Sequence, residues 1–253
     1  VWHSSTSGGR RCYLMAKIDK SLYTKQEWRV IRNQRRLQKQ LQKQKQHIKN
    51  TVSNKDTSVA FVLGNGTSRS AIEPESLLEL GTVYGCNALY RTFAPDYLIA
   101  VDVKMILEIS RSGYQNNNKV WSNHNNAFSD IKNVNYFQPS KGWSSGPTAL
   151  WLAAEHEYED IYILGFDYAG LENNSKLNNL YADTKNYKRS NEGATFYGNW
   201  LRQTKTVIRD NKNINFHRVI APDNYKPDEL NTFDNFRTIE LEEFQKIFSF
   251  SQI

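Results

Sequence analysis

The run Ser58–Leu63 (SVAFVL) is apolar after its first residue and stops at Gly64-Asn65-Gly66, the pattern of a buried strand ending in a tight turn. The same rhythm recurs downstream. Thr82–Cys86 and Leu98–Val101 read as further strands, closing at Asn87 and Asp102, and a helical stretch Val103–Ser112 follows as far as Gly113. More strands are expected near Lys119–Trp121 and at Val134–Phe137, Ile161–Leu164 and Ile214–Val219. Helices are expected at Glu75–Leu80, Thr148–Tyr158, Tyr197–Arg209 and Glu240–Phe248, with Pro147 at a first turn, where its missing N–H costs nothing. Strands alternate with helices and are more often continuously apolar than alternating. That predicts an α/β domain over residues 57–253, built on a mostly parallel sheet with helices on both faces.

Sheets of this kind hold ligands at the carboxyl ends of their strands. Gly64–Ser68, Asn87, Asp102 and Gly165–Tyr168 all fall at expected strand ends. Four polar clusters on one edge say more than any one of them. The segment 169–195 is polar and Asn-rich, longer than an ordinary connection, and therefore expected to be functional or mobile.

Upstream of this domain the pattern changes. Residues 21–50 contain neither Gly nor Pro and are rich in Gln, Lys, Arg and Leu, which predicts one long helix. Ser21 or Thr24 can cap it, with Glu27 three residues after Thr24. Val30, Leu37, Leu41 and Ile48 share a heptad seam that Gln34 and Gln44 interrupt, a weak coiled-coil pattern. Residues 51–57 are a polar linker, so the basic arm is expected to occupy 15–56. Residues 1–14 lack the apolar core of a signal peptide and are expected to be an appended or upstream-frame remnant before Met15.

Charge separates the same two parts. The chain carries +7 overall, but residues 1–56 hold 14 Lys/Arg against 3 Asp/Glu, whereas the remainder holds 19 against 23. The basicity therefore belongs to the arm. Between Lys25 and Lys49 nine Lys/Arg face one acid, Glu27, so an anionic partner is expected: nucleic acid first, then an acidic protein surface or a membrane. Its apolar side is too thin for stable insertion. Two cysteines, Cys12 and Cys86, cannot form a disulfide framework or a Cys-rich zinc site, which fits a reducing, cytoplasmic compartment. No stretch approaches 18 apolar residues, so no membrane span is expected.

The chemistry-bearing candidates lie at the strand ends. Gly64-Asn65-Gly66-Thr67-Ser68 offers two glycines, three polar side chains and several forward-pointing amides, the makings of an anion nest beside Arg69. It is not a phosphate-binding GxxxxGK loop, and Arg69 stands where a dinucleotide fingerprint has its third glycine. The plainer alternative is a turn that needs glycine for geometry alone. Ser144-Ser145-Gly146 before a helix is a second anion candidate, or simply a serine N-cap. Asp102 and Asp167 can hold a ribose, a metal or an acceptor hydroxyl, and Asp167 can equally cap a loop. The five histidines show no metal spacing; His217 is a candidate base only if its strand edge folds over the ligand, and His124 and His156 lie in a loop and on a helix. No metal and no bound cofactor are expected.

GNGTS after the first strand, CNALY after the second, SSG opening an Ala-rich helix and EDIYILGFDY together resemble the bacterial sialyltransferases that use CMP-sialic acid, and related Rossmann-like proteins. The similarity covers Val59–Tyr90 and Trp143–Tyr168. It implies a Rossmann-like fold, a nucleotide or nucleotide-sugar ligand and a metal-independent, glycosyltransferase-like reaction with inversion. It also implies nucleotide and phosphate contacts from Asn65, Ser68, Asn87, Ser145 and Gly146, with Tyr168 near the leaving phosphate. In that family the base is a histidine after the GxDxY-like segment, and between Ala169 and Trp200 this chain has none. A transfer reaction here needs another base. The alternatives are a nucleic-acid-associated protein, and an interaction protein on a retired enzyme fold.

Overall fold

The computed structural model describes residues 58–248, together with Arg32, Arg36 and Lys39 of the basic segment, which are helical and exposed. The rest of the expected arm, with its caps and seam, lies outside the described residues. Eight strands form one sheet: β1 (Val59–Leu63), β2 (Thr82–Cys86), β3 (Tyr97–Ile99), β4 (Val120–Asn123), β5 (Val134–Phe137), β6 (Asp160–Leu164), β7 (Asn215–Ile220) and β8 (Phe236–Glu240). The helices are α1 (Val103–Ser112), α2 (Ser145–Glu155), α3 (Gly198–Asp210) and α4 (Leu241–Ile247). Every neighbouring pair of strands is parallel, in the order β5-β4-β3-β2-β1-β6-β7-β8. The chain winds outward from β1 to β5, returns to lay β6 beside β1, and winds the other way to β8. This is a Rossmann-like α/β sheet whose direction switches between β1 and β6.

The strands have two faces and both are buried, which explains their unbroken apolar runs. Ala60 and Val62 of β1, with Ile161 and Ile163 of β6, pack into a core shared with α2 and with Leu201, Val207 and Ile208 of α3. Phe61 and Leu63, with Tyr162 and Leu164, point to the opposite core, closed by Met105, Ile106 and Ile109 of α1 and Phe244 of α4. Helix α2 is buried from Thr148 to Ala154, so its small and apolar residues serve packing on every side.

Most expected elements coincide with observed ones, and the differences have local causes. Helix α2 starts at Ser145 rather than Thr148, because Ser144 takes the extended N-cap conformation and Ser145-Gly146-Pro147 form the first turn. Residues Pro74–Leu78 make a 3-10 helix in place of the expected Glu75–Leu80 helix. Strand β8 was not expected. Phe236 and Ile239 are buried while Arg237 and Glu240 are exposed, a short and charged edge strand without an apolar run.

At the switch the ends of β1 and β6 are joined backbone to backbone. Gly64 N donates to Leu164 O (2.8 Å) and Gly66 N to Gly165 O (2.9 Å). A Cβ on Gly64 would collide with the Gly165 carbonyl and stand 2.8 Å from the Phe166 ring, and one on Gly66 would collide with the Asp167 carboxylate. Gly165 also holds φ at +69°, a conformation open to glycine at little cost. Three glycines are therefore required by close approach and backbone angle.

Candidate functional site

A cleft of about 400 Å³ opens over this junction, at the carboxyl ends of the strands. Of the residues named from sequence, Gly64, Asn65, Gly66, Asn87, Asp102, Ser145, Gly146, Asp167 and Tyr168 line it. Ser68 and His217 do not. The topology accounts for the convergence, since ligand crevices form where neighbouring strands lead off in opposite directions.

The glycine turn is not an open anion nest. Besides the two glycine amides, Thr67 N donates to Asn178 Oδ1 (2.8 Å) and Ser68 N to Asp167 Oδ2 (3.1 Å). Ser68 Oγ donates to the other oxygen of the same carboxylate in a short hydrogen bond. Asp167 thus occupies the anion position of the turn, and both of its oxygens fasten the β1 loop to the β6 loop. Two buried guanidiniums stiffen these loops from beneath. Arg69, 6% exposed, donates through Nε to Gly64 O (2.6 Å). Arg218, 1% exposed, donates to the carbonyls of Phe166 (2.9 Å), Asp167 (3.3 Å) and Tyr225 (2.9 Å) and lies over the Tyr168 ring. Their acceptors are neutral carbonyls, so their positive charge is felt at the cleft floor with Asp167 as the nearby counter-charge.

The available anion donors belong to α2. The Ser144 side chain caps nothing, no acid stands in the first turn, and the Ser145 and Gly146 amides have no acceptor among the described residues. Ser145 Oγ accepts from Val101 N (3.0 Å), which leaves the hydroxyl hydrogen available to a ligand. Unpaired amides and the positive end of an 11-residue helix favour a phosphate or carboxylate here. The α3 side chain Gln203 holds this turn in place by accepting from Ser144 N (3.1 Å).

The other walls carry distinct roles. Asn65 donates to Cys86 O (3.2 Å) and to the Tyr187 hydroxyl (3.3 Å), so it links β1, β2 and the 169–197 segment. Asn87 (φ +53°) and Tyr168 (φ +53°) both adopt left-handed backbone, which is costly outside glycine and recurs at functional sites. The buried Oδ1 of Asn87 has no donor. Tyr168 donates its hydroxyl to Thr204 Oγ1 (2.8 Å), and burial pushes its pKa up to about 12, so it stays protonated at neutral pH. Cys86 is likewise pushed up to about 12 by burial and is no thiolate nucleophile. The Asp102 carboxylate has no hydrogen-bond or ion-pair partner among the described residues, and partial loss of hydration raises its pKa above the usual carboxylate value.

The long polar segment contributes what sequence reasoning missed. It crosses the strand ends as an ordered strap: Leu180 N donates to Asn65 O (2.8 Å), and Asn186 Nδ2 to Glu108 Oε2 (2.6 Å). Glu108 also pairs with Arg91, whose guanidinium reaches the strap at Thr184 Oγ1 (2.8 Å) and Lys185 O (2.8 Å). Left-handed backbone at Glu172, Asn173, Asn174, Asp183 and Asn186 accounts for three of the segment's six asparagines, since Asn tolerates that region well. Asn178, Asn179, Asn186, Tyr187, Lys188, Tyr197 and Trp200 all line the cleft from this side. Among the described residues no cluster of three or more His, Cys, Asp and Glu could hold a metal ion. No helix there is long and apolar enough to cross a membrane.

His217 serves a different part of the sheet. It stands on β7 opposite Tyr162, with Nε2 at 2.6 Å from Asp160 Oδ1 at the start of β6. Arg237 Nε donates to its Nδ1 (2.8 Å), which fixes the neutral Nε2–H tautomer. Burial, and the charge of Arg237, lower its pKa. A proton resisted by the native state is accepted by the unfolded chain below pH about 6.5. Stability is therefore expected to fall as pH drops from about 6.5 through the lowered native value, and His217→Gln should flatten that part of the profile. Urea midpoints between pH 7.5 and 5 for both proteins check this; parallel profiles would contradict it. Compared with protein-family models, with curated proteins and with solved structures, the chain matches none.

Proposed function

We propose that the cleft binds a nucleotide or nucleotide sugar, and that the protein is a metal-independent glycosyltransferase-like enzyme. One observation carries the binding reading: the uncapped, acid-free N-terminus of α2 opens into a cleft at the β1/β6 switch, with the Ser145 hydroxyl beside it. A phosphate placed there takes the Ser145 and Gly146 amides and that hydroxyl, and the same donors stabilise the charge that develops on a departing phosphate. Asn87 lines the same cleft and is the residue assigned here to the sugar or ribose hydroxyls.

Transfer to a hydroxyl acceptor also needs a group that accepts its proton. Tyr168 is held protonated, Asp167 is committed to Ser68, and His217 lies elsewhere. Asp102 remains, unpaired and with a raised pKa that brings it closer to the operating pH of a general base. With donors and base both supplied by the chain, the reaction does not require a divalent ion. CMP, UDP or GDP present at 100 times its dissociation constant should raise apparent stability by about 2.7 kcal/mol. Asp102→Asn should leave that shift intact and lower kcat about 100-fold or more. An unshifted melting temperature with all three nucleotides would end the binding reading. An unchanged kcat in Asp102→Asn, or activity lost to EDTA and restored by manganese, would end the mechanistic one.

The basic segment has a second role in this proposal. Arg32, Arg36 and Lys39 are helical and exposed, and their spacing sets them on one face. Such a row fits the phosphate backbone of a nucleic acid and positions a protein without reading bases. Replacing all three by Gln in the full chain should reduce the slope of log K against log salt on duplex DNA by about 3. A binding constant and slope that the triple replacement leaves unchanged would remove this face from any nucleic-acid contact.

A further inference from the structure

Beside the α2 N-terminus the molecule exposes aromatic side chains around the half-buried Tyr197, which packs against the core shared with α2. Phe196 is 75% exposed, Tyr225 45% and Trp200 36%. Phe196 and Tyr197 are stacked, with centroids 6.4 Å apart and planes inclined by 21°, and Tyr197 meets Tyr225 at 6.1 Å. Apolar groups left in water beside a crevice mark a binding surface, because burying them elsewhere would have stabilised the fold. Tyr197 and Trp200 line the cleft itself, so the aromatic surface and the cleft are continuous.

Two further features define what fits there. The strap carries amide halves that the fold does not use. Asn178 and Asn179 each commit their oxygen, to Thr67 and to Tyr181 N respectively, and their NH₂ groups have no acceptor among the described residues. Asn186 does the converse, donating to Glu108 and leaving its oxygen unpaired. Unpaired donors and acceptors lining the same cleft as flat rings suit a planar heterocycle, which offers both on its rim. The second feature is reach. Gln203, three residues after Trp200 on α3, accepts from Ser144 N at the start of α2, so Trp200 stands about one helical turn from the side chain that meets the α2 N-terminus. That is the scale of a nucleoside between its phosphate and its base. Four side chains are far too few for a stable protein interface, which needs about 800 Å² from each partner.

We infer that Trp200 and Tyr197, with Phe196 stacked on Tyr197 at the margin of the cleft, form its nucleobase-stacking subsite, and that the cleft-lining Asn178, Asn179 and Asn186 supply polar partners for the base. The inference rests on the nucleotide reading of the cleft and assigns its base end. Stacking tolerates every base, because each has a π-face, so the subsite selects for the presence of a base more strongly than for its identity.

Calorimetric titration of AMP, CMP and ribose 5-phosphate into the full chain separates the possibilities. The wild type should bind both nucleotides about 5- to 150-fold more tightly than ribose 5-phosphate, the range that stacking supplies. Trp200→Ala and Phe196→Ala should close that gap while leaving ribose 5-phosphate affinity and the melting temperature unchanged. A gap that persists in both variants would overturn the inference and leave the nucleotide reading standing. So would equal weakening of all three ligands, which would mean that the rings merely support the cleft. If the wild type binds none of the three, the base-tolerant subsite is overturned, and the nucleotide reading is decided by CMP, UDP and GDP.

Discussion

The structure depends on how closely two strand ends approach each other. The loops after β1 and β6 share backbone hydrogen bonds from Gly64 to Leu164 and from Gly66 to Gly165, at separations that leave no room for a side chain. Everything around them follows from that contact. Asp167 grips the start of the Thr67–Arg69 turn, and Arg69 and Arg218 hold the carbonyls of both loops from below. The floor of the cleft is therefore fastened from both loops, and the Gly64, Gly66, Thr67 and Ser68 amides are already paired. Amides that are already paired are not available to a ligand, so the donors that remain available stand in the walls.

Those walls come from three parts of the chain that reach the same edge by different routes. Helix α2 supplies an uncapped N-terminus, the β3–α1 connection supplies Asp102, and the strap supplies amides and aromatic rings. The strap is the least regular part, yet it is fastened at both levels: to the glycine turn through Asn65 and Thr67, and to α1 through Glu108. Pre-positioned donors cost little further ordering when a ligand arrives, which is how an irregular segment can form a specific wall.

The strands were legible in the sequence because both of their faces are buried, which turns each into an unbroken apolar run ending at a polar or glycine residue. Val59–Leu63, Thr82–Cys86 and Asp160–Leu164 are of this kind. Strand β8 was not legible, since an edge strand with Arg237 and Glu240 facing water has no such run. Convergence at the strand ends was legible from Asn65, Asn87, Asp102 and Asp167. The ranking of the two anion candidates was not: glycine at a turn records that space is short, and sequence does not say whether a ligand or another loop fills it. Here the other loop does. His217 read as a candidate base because its partners, Asp160 and Arg237, are distant in sequence and adjacent only across the sheet. The strap announced itself by length and asparagine content, but its contacts with Asn65 and Glu108 are long-range and carry no local signal.

The central claim is that α2, and not the glycine turn, receives the phosphate. The most direct measurement compares Ser145→Ala with Ser68→Ala, by thermal melting and by titration with a nucleotide that binds the wild type. Ser145→Ala is expected to weaken binding roughly 10-fold, having removed a hydrogen bond to a charged group, and also to lower the melting temperature, since Val101 N loses its acceptor, so affinity is the deciding readout. Ser68→Ala should lower the melting temperature, by severing the bond to Asp167, and leave the affinity of the folded protein within about twofold, since it removes no ligand contact. The opposite result, with Ser68→Ala losing affinity at unchanged stability and Ser145→Ala binding normally, would contradict the account and return the phosphate to the glycine turn.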